Sequence, residues 1–183
     1  MDMARDLYFA QQALVTLFLV TNKLQMQGDR RLQDITLRQM LAIPALIHAT
    51  DGEASINHLA RSMGTTKQSA KQIVDAMVRK GYVSVAPSAR DRRAVHVSVT
   101  PEGRQAFGVC SDRTDAFLAD LFCHFSAEEL ETLCTLLQKL YRFDGAASEG
   151  VAGPVGYDES ASAAILRHHG RFVEQRARAK EPD

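Results

Sequence analysis

The stretch Leu59-Ala60-Arg61-Ser62-Met63-Gly64-Thr65-Thr66-Lys67-Gln68 sets two helical patterns on either side of one glycine. Upstream, Ser55 stands in an N-cap position, and Ile56, Leu59, Ala60 and Met63 share one helical face. Downstream, Thr65-Thr66-Lys67-Gln68 has the form of a capping box, with a threonine at the cap and glutamine three residues on. Ala70, Ile73, Val74, Met77 and Val78 then follow an i, i+3, i+4, i+7, i+8 rule, and Gly81 is a C-terminal stop. Two short helices joined by a glycine turn are a helix-turn-helix.

The chain turns into a hairpin immediately afterwards. Tyr82 to Ala86 and Ala94 to Val99 alternate as strands, joined by Pro87 to Arg93. The connection holds Arg90, Arg92 and Arg93 around a single acid, Asp91. Charges packed that closely at a turn call for a partner outside the chain. A hairpin beside a recognition helix reaches the neighbouring minor groove of DNA, where arginine is favoured by the concentrated negative potential. Asp91 would then fix an arginine and shape the loop.

The second helix of the pair, expected over 66–80, offers the complementary chemistry. Gln68, Gln72 and Arg79 point away from its apolar face, flanked by Ser69 and Lys71. Glutamine pairs with adenine in the major groove, and lysine or arginine with guanine or phosphate. Thr65, Thr66 and Lys67 lie at the positive end of the helix dipole, suited to phosphates or the first base edges.

Charge distribution agrees. The whole chain balances 22 basic against 22 acidic residues. The window from Ala60 to Arg104 holds nine basic and three acidic ones, a net of +6 that the remainder offsets. A basic segment in a neutral protein is a local field that attracts a polyanion.

Around this unit lie further helices. Leu7, Leu14, Leu17, Phe18 and Leu24 predict a long amphipathic helix over 3–27 ended by Gly28. Thr36 and Gln39 form a capping box for a helix reaching about His48, with Pro44 inside it and a kink expected there. Thr100-Pro101 opens a helix to about 125. Ser126 and Glu129 form a further capping box for a helix to 143, ended by Gly145. Residues 146–156 read as a flexible linker, followed by an accessory helix.

These elements predict a mainly α protein with a small β-hairpin wing. The winged helix-turn-helix spans 36–99, helical dimerisation segments span 1–35 and 100–144, and 145–183 is linker and accessory helix. The three cysteines form no close pair and read as buried thiols, so neither a disulfide framework nor a zinc knuckle is expected. The histidines are scattered, and no metal or cofactor is expected. No nucleophile elbow, phosphate loop or paired carboxylates appear, which argues against an enzyme. The N-terminus lacks a signal-peptide pattern and the run Leu14 to Val20 is too short to span a bilayer, so a cytoplasmic protein without a membrane partner is expected.

The residues quoted from Leu59 to Gln68, together with Val74-Asp75-Ala76-Met77-Val78-Arg79-Lys80-Gly81-Tyr82-Val83, Asp91-Arg92-Arg93 and Val99-Thr100-Pro101-Glu102-Gly103, resemble the MarR family of bacterial transcription regulators. The likeness runs closely from Thr36 to Phe107 and more loosely through the flanking helices. It implies a homodimer on double-stranded, palindromic operator DNA, with a recognition helix in each major groove and a wing in each minor groove. It implies that Arg93 inserts in the groove or binds phosphate, that Asp91 braces it, and that Arg90 and Arg92 make nearby contacts. It also implies a ligand-responsive repressor with a small aromatic or amphipathic effector, for which Phe18, Met40, Pro44, His48 and Phe117 are the candidate pocket. The alternative is a winged-helix protein-interaction module whose basic window is incidental. Pro44 and the tail 145–183 depart from the family pattern.

Overall fold

The computed structural model describes residues 2–47, 49, 54–87, 95–145, 172–174 and 176–178. The order is α1 (Met3–Leu32), α2 (Leu37–Ile47), α3 (Ile56–Ser62), α4 (Lys67–Arg79), β1 (Val83–Pro87), β2 (Val95–Val99), α5 (Pro101–Phe122) and α6 (Ala127–Tyr141). The fold is mostly helical with a two-stranded antiparallel hairpin, as the sequence predicts. The strands pair from Val83↔Val99 to Pro87↔Val95, so Pro87 closes the ladder instead of opening the turn. Val97 N–H also donates to the Ala54 carbonyl at 2.8 Å, which ties β2 to the segment before α3.

The hydrophobic core lies within the winged unit. Leu59, Ala70, Val74, Met77, Val83 and Val97 close over Ile35, Ala42, Ile43 and Leu46 from the α1–α2 corner and α2. Leu32 and Cys110 join it from α1 and α5. Each large side chain so buried is worth about 1.5–3 kcal/mol.

Three local predictions are met by hydrogen bonds. Gln39 N–H donates to Thr36 Oγ1 at 3.2 Å while Thr36 N–H donates to Gln39 Oε1 at 3.1 Å. Ser126 and Glu129 form the same reciprocal box at the start of α6. Thr100 accepts from Gly103 N–H at 2.9 Å with Pro101 behind it, as expected for α5.

Other details differ. α1 does not end at Gly28 but continues to Leu32 and stops at Gln33, whose φ is +61°. Gly28 is instead a packing residue: a Cβ there would lie 3.0 Å from Leu37 Cδ2. The α4 cap is Thr66, not Thr65, and accepts from Ser69 N–H at 3.1 Å. Thr66 Oγ1 also donates to Ser69 Oγ at 3.0 Å, so the cap is a threonine–serine pair and Gln68 takes no part in it. α2, by contrast, runs to Ile47 with Pro44 inside it, as expected. α5 and α6 end at Phe122 and Tyr141, short of 125 and 143, and Gly145, at φ +73°, lies beyond the helix it was expected to end. Of the thiols, Cys110 is buried, Cys123 half-buried and Cys134 exposed, because α6 buries none of its residues.

The apolar residues of α1 remain largely uncovered: Leu7, Leu14 and Phe18 are 61%, 58% and 66% exposed. The expected linker lies outside the described residues. Two short pieces beyond it, 172–174 and 176–178, are helical. There the Arg176 guanidinium donates to the Phe125 carbonyl in the α5–α6 turn and lies over the Phe172 ring.

Candidate nucleic-acid interface

The helix-turn-helix is held by its turn. Gly64 adopts φ +56°, and the Thr65 N–H reaches back to the Ala60 carbonyl at 2.9 Å, closing the end of α3. A positive φ at this point is cheap only for glycine. His58 Nε2 stands 3.1 Å from the Ala45 carbonyl, tying α3 to α2.

α4 leaves that turn with a sharply two-sided surface. Ala70, Ile73, Val74 and Met77 are buried. Lys67, Gln68, Lys71, Gln72 and Arg79 are exposed on the other side, and Thr66 is exposed at the cap. Thr65 and Ser69 are half-buried at the same end. The structure therefore brings together every residue predicted for the reading helix. The free N–H groups of its first turn and the positive end of the helix dipole face outward with Thr66 and Lys67. Lys71 Nζ pairs with Asp75 at 2.6 Å. An ion pair this exposed is worth little, so a phosphate can compete for the lysine.

Arg90, Asp91, Arg92 and Arg93 lie outside the described residues. What is described is the hairpin that carries them, from Val83 to Pro87 and Val95 to Val99.

Two basic residues of the +6 window serve the scaffold instead. Lys80 Nζ donates to the Asp34 carbonyl at 2.5 Å and to Gln39 Oε1 at 3.3 Å, and lies over the Tyr82 ring. Arg104 donates to the Val99 carbonyl at 2.9 Å. Sequence reasoning counted both as field. Lys80 carries no local signal of its bracing role, since its hydrogen-bond partners are more than forty residues away.

The base of the wing is sutured to α5. Thr100 Oγ1 donates to the Gly81 carbonyl at 2.6 Å and Thr100 N–H to the Tyr82 carbonyl at 3.0 Å. A Cβ on Gly103 would lie 2.0 Å from that Tyr82 oxygen. The Thr-Pro-Glu-Gly segment thus locks the hairpin to the long helix.

The candidate effector residues do not converge. Met40 is in the core, Phe18 is exposed on α1 and Pro44 is exposed on α2, while His48 lies outside the described residues. Phe117 is buried and lines a cavity of about 370 Å³ between α1 and α5, with Val20, Lys23, Leu24, Gln27, Arg31, Asp120 and Leu121. Arg31 and Asp120 are ion-paired at its edge at 2.6 Å. A second cavity, about 300 Å³, lies where Asp34, Tyr82, Glu102, Gln105, Ala106, Val109 and Cys110 meet. Burial pushes the Cys110 thiol above its ordinary pKa, with Arg113 opposing that shift. Among the described residues, no group of His, Cys, Asp or Glu is placed to hold a metal, and no helix is long and apolar enough to cross a membrane.

A capped, polar-faced second helix, a glycine turn and an antiparallel hairpin define a winged helix-turn-helix protein. Residues 33–94 match the MarR family model. That match covers the winged unit and agrees with the resemblance to MarR-family regulators read from the sequence. It is 29% identical over 161 residues to BadR, a transcriptional activatory protein of Rhodopseudomonas palustris, covering 83% of this chain and 89% of that protein. Its fold is shared by a MarR/EmrR family transcriptional regulator from Acinetobacter sp. ADP1, with TM-score 0.65, 22% identity, and 75% and 98% of the two chains covered. It is also shared by S. aureus MepR in a complex with DNA, with TM-score 0.62, 20% identity, and 69% and 93% covered.

Proposed function

We propose that this protein is a sequence-specific regulator of transcription that binds double-stranded DNA as a homodimer. The observation that carries the reading is α4: Lys67, Gln68, Lys71, Gln72 and Arg79 form one exposed face, opposite the buried stripe that orients it. Gln68 and Gln72 read base edges, while Thr65, Thr66, Lys67, Ser69 and Lys71 meet phosphates or the first bases. Arg90, Arg92 and Arg93 extend the contact into the minor groove, with Asp91 as their brace.

The homodimer is supported by apolar surface that one copy leaves bare. Leu7, Leu14, Phe18 and Leu19 on α1 and Leu136, Leu137 and Leu140 on α6 are 42–66% exposed. Apolar surface of that extent marks an association face. Residues 1–35 and 100–144 are its dimerisation segments, and twofold symmetry calls for a palindromic site.

The protein acts in the cytoplasm and responds to a small aromatic or amphipathic effector. The apolar lining of the α1–α5 cavity, Val20, Leu24, Phe117 and Leu121, supports that chemistry. A dimer seated on a promoter excludes polymerase, which supports repression. A specific observation favours a second sign: BadR is named an activatory protein.

The test is selection of genomic fragments followed by affinity measured at two salt concentrations. Tight binding to a palindromic fragment, with affinity to random DNA falling steeply with salt, is the expected result. Weak, salt-insensitive binding would favour a protein-interaction module. Transcription from the selected promoter, with and without the protein, separates repression from activation.

A further inference from the structure

We propose that Tyr141 is a positioning residue for DNA reading, a strut through which the outer helix of the dimerisation region sets the helix-turn-helix. The inference rests on the DNA-binding dimer argued above. Tyr141 is the last residue of α6, and its ring lies on the backbone of Gly64 in the α3–α4 turn. A Cβ built on Gly64 would stand 2.9 Å from the Tyr141 hydroxyl, 3.2 Å from its Cε2 and 3.5 Å from its Cζ. Gly64 is called for by its φ of +56°, and a Cβ there would also have to displace the Tyr141 ring.

The contact matters because of where α6 stands otherwise. None of its residues is buried in the single chain. Leu136, Leu137 and Leu140 are 57%, 42% and 48% exposed, the surface a second copy would cover. Leu137 and Tyr141 are four residues apart and so neighbours on the helix surface. One rigid helix thus offers its middle to the partner and its end to the turn that launches α4. The Thr66 cap begins two residues past Gly64. A shift of α6 at the dimer interface is delivered to the N-terminus of the reading helix directly, without passing along α5 and the wing. In a dimer, two such struts set the separation and pitch of the two reading helices.

The variable that reports this is half-site spacing. One added base pair moves a half-site by roughly 3.4 Å and turns it by roughly 34°. A strutted dimer rejects the altered spacing, while a loosened one tolerates it. The experiment uses the full chain as wild type, Tyr141→Phe, Tyr141→Leu and Tyr141→Ala. Each is titrated on its selected palindrome, on the same palindrome with one base pair added at the centre, and on a random duplex, alongside sedimentation mass. Wild type and Tyr141→Phe should discriminate between the spacings equally, since the ring makes the contact. Tyr141→Ala should discriminate roughly five-fold less or weaker still, with dimer mass and random-duplex affinity unchanged, and Tyr141→Leu should fall between. Amide hydrogen exchange in the free protein should quicken at Gly64 and Thr65 in Tyr141→Ala.

Full spacing discrimination in Tyr141→Ala overturns the proposal, as does unchanged exchange at the turn. A monomeric Tyr141→Ala also overturns it, because the tyrosine would then belong to the subunit interface. A wild type that prefers no duplex sinks the DNA-binding reading instead, while hydrogen exchange still decides the contact.

Discussion

The carbonyl oxygen of Tyr82 and the Cα of Gly103 meet so closely that no side chain fits between them: a Cβ would lie 2.0 Å from that oxygen. Thr100 N–H donates to the same oxygen, so α5 begins in contact with the foot of the wing. Gly103→Ala must push backbone from backbone and should destabilise the fold by about 1–3 kcal/mol or more. For a chain of this size that lowers Tm by roughly 2–4 °C per kcal/mol. Gly108→Ala is the control. It lies on the same helix with nothing within 4 Å of its added carbon, and should stabilise by up to ~1 kcal/mol. Thermal denaturation by circular dichroism reads both; equal melting temperatures would show that α5 does not approach Tyr82 this closely.

Thr66 has two roles that substitution can separate. Its hydroxyl caps α4, so Thr66→Ala should cost about 0.5–2 kcal/mol of stability. Thr66→Asp keeps a good cap but puts a negative charge where phosphate is to bind. Its melting temperature should stay near wild type while affinity for every duplex falls. A Thr66→Asp protein that binds DNA as well as wild type would remove the end of α4 from the interface.

The two reading elements should answer differently to deletion. Gln72→Ala should lose about 1–3 kcal/mol on the preferred site and little on random DNA. Arg93→Ala should weaken both and lower the slope of log affinity against log salt by about one unit. Asp91→Ala adds positive charge and frees the braced arginine, so specific affinity should fall while nonspecific affinity holds or rises. Salt titration of the three variants on one specific and one random duplex checks all of this. An unchanged slope in Arg93→Ala means that the wing does not touch DNA.

Cys110 should make stability fall at alkaline pH. Burial raises its pKa above the ordinary value of 9.0, so the folded chain holds the proton more tightly than the unfolded one. Its contribution is complete below that ordinary value. It is lost as pH rises from there through the folded pKa, because the unfolded thiol ionises first. Denaturant midpoints at pH 8 and pH 10 should converge in Cys110→Ala relative to wild type. Iodoacetamide at pH 8 should modify exposed Cys134 well before Cys110.

Sedimentation should give twice the chain mass at micromolar concentration. Truncation after Gly145 should leave DNA binding within a few-fold, although it removes the Arg176 contact with Phe125. A Phe18→Glu substitution in the middle of α1 should reduce the mass to one chain, since the buried charge would find no partner. A wild-type monomer would leave the exposed faces of α1 and α6 without the role given them here.

The features legible in the chain before folding are local ones. Ser126 with Glu129, Thr36 with Gln39 and Thr100 before Pro101 announced helix starts, because a cap closes over three residues and both partners sit in one short window. The apolar stripe of α4 announced which of its faces would be exposed, and hence Gln68 and Gln72, because helical periodicity is a property of the segment alone. Tertiary structure decided everything that depends on distant partners. Gly28 reads as a stop, yet it is a place where Leu37 comes close, and α1 ends where Gln33 takes a positive φ. Lys80 reads as one more positive charge, yet it spans 46 residues to hold the Asp34 carbonyl. Phe18, Met40, Pro44 and Phe117 shared an apolar character that says nothing of direction, and the packed helices turned them toward different surroundings. Tyr141 on Gly64 had no signal in either segment, because such a contact exists only once α6 has folded back to the turn.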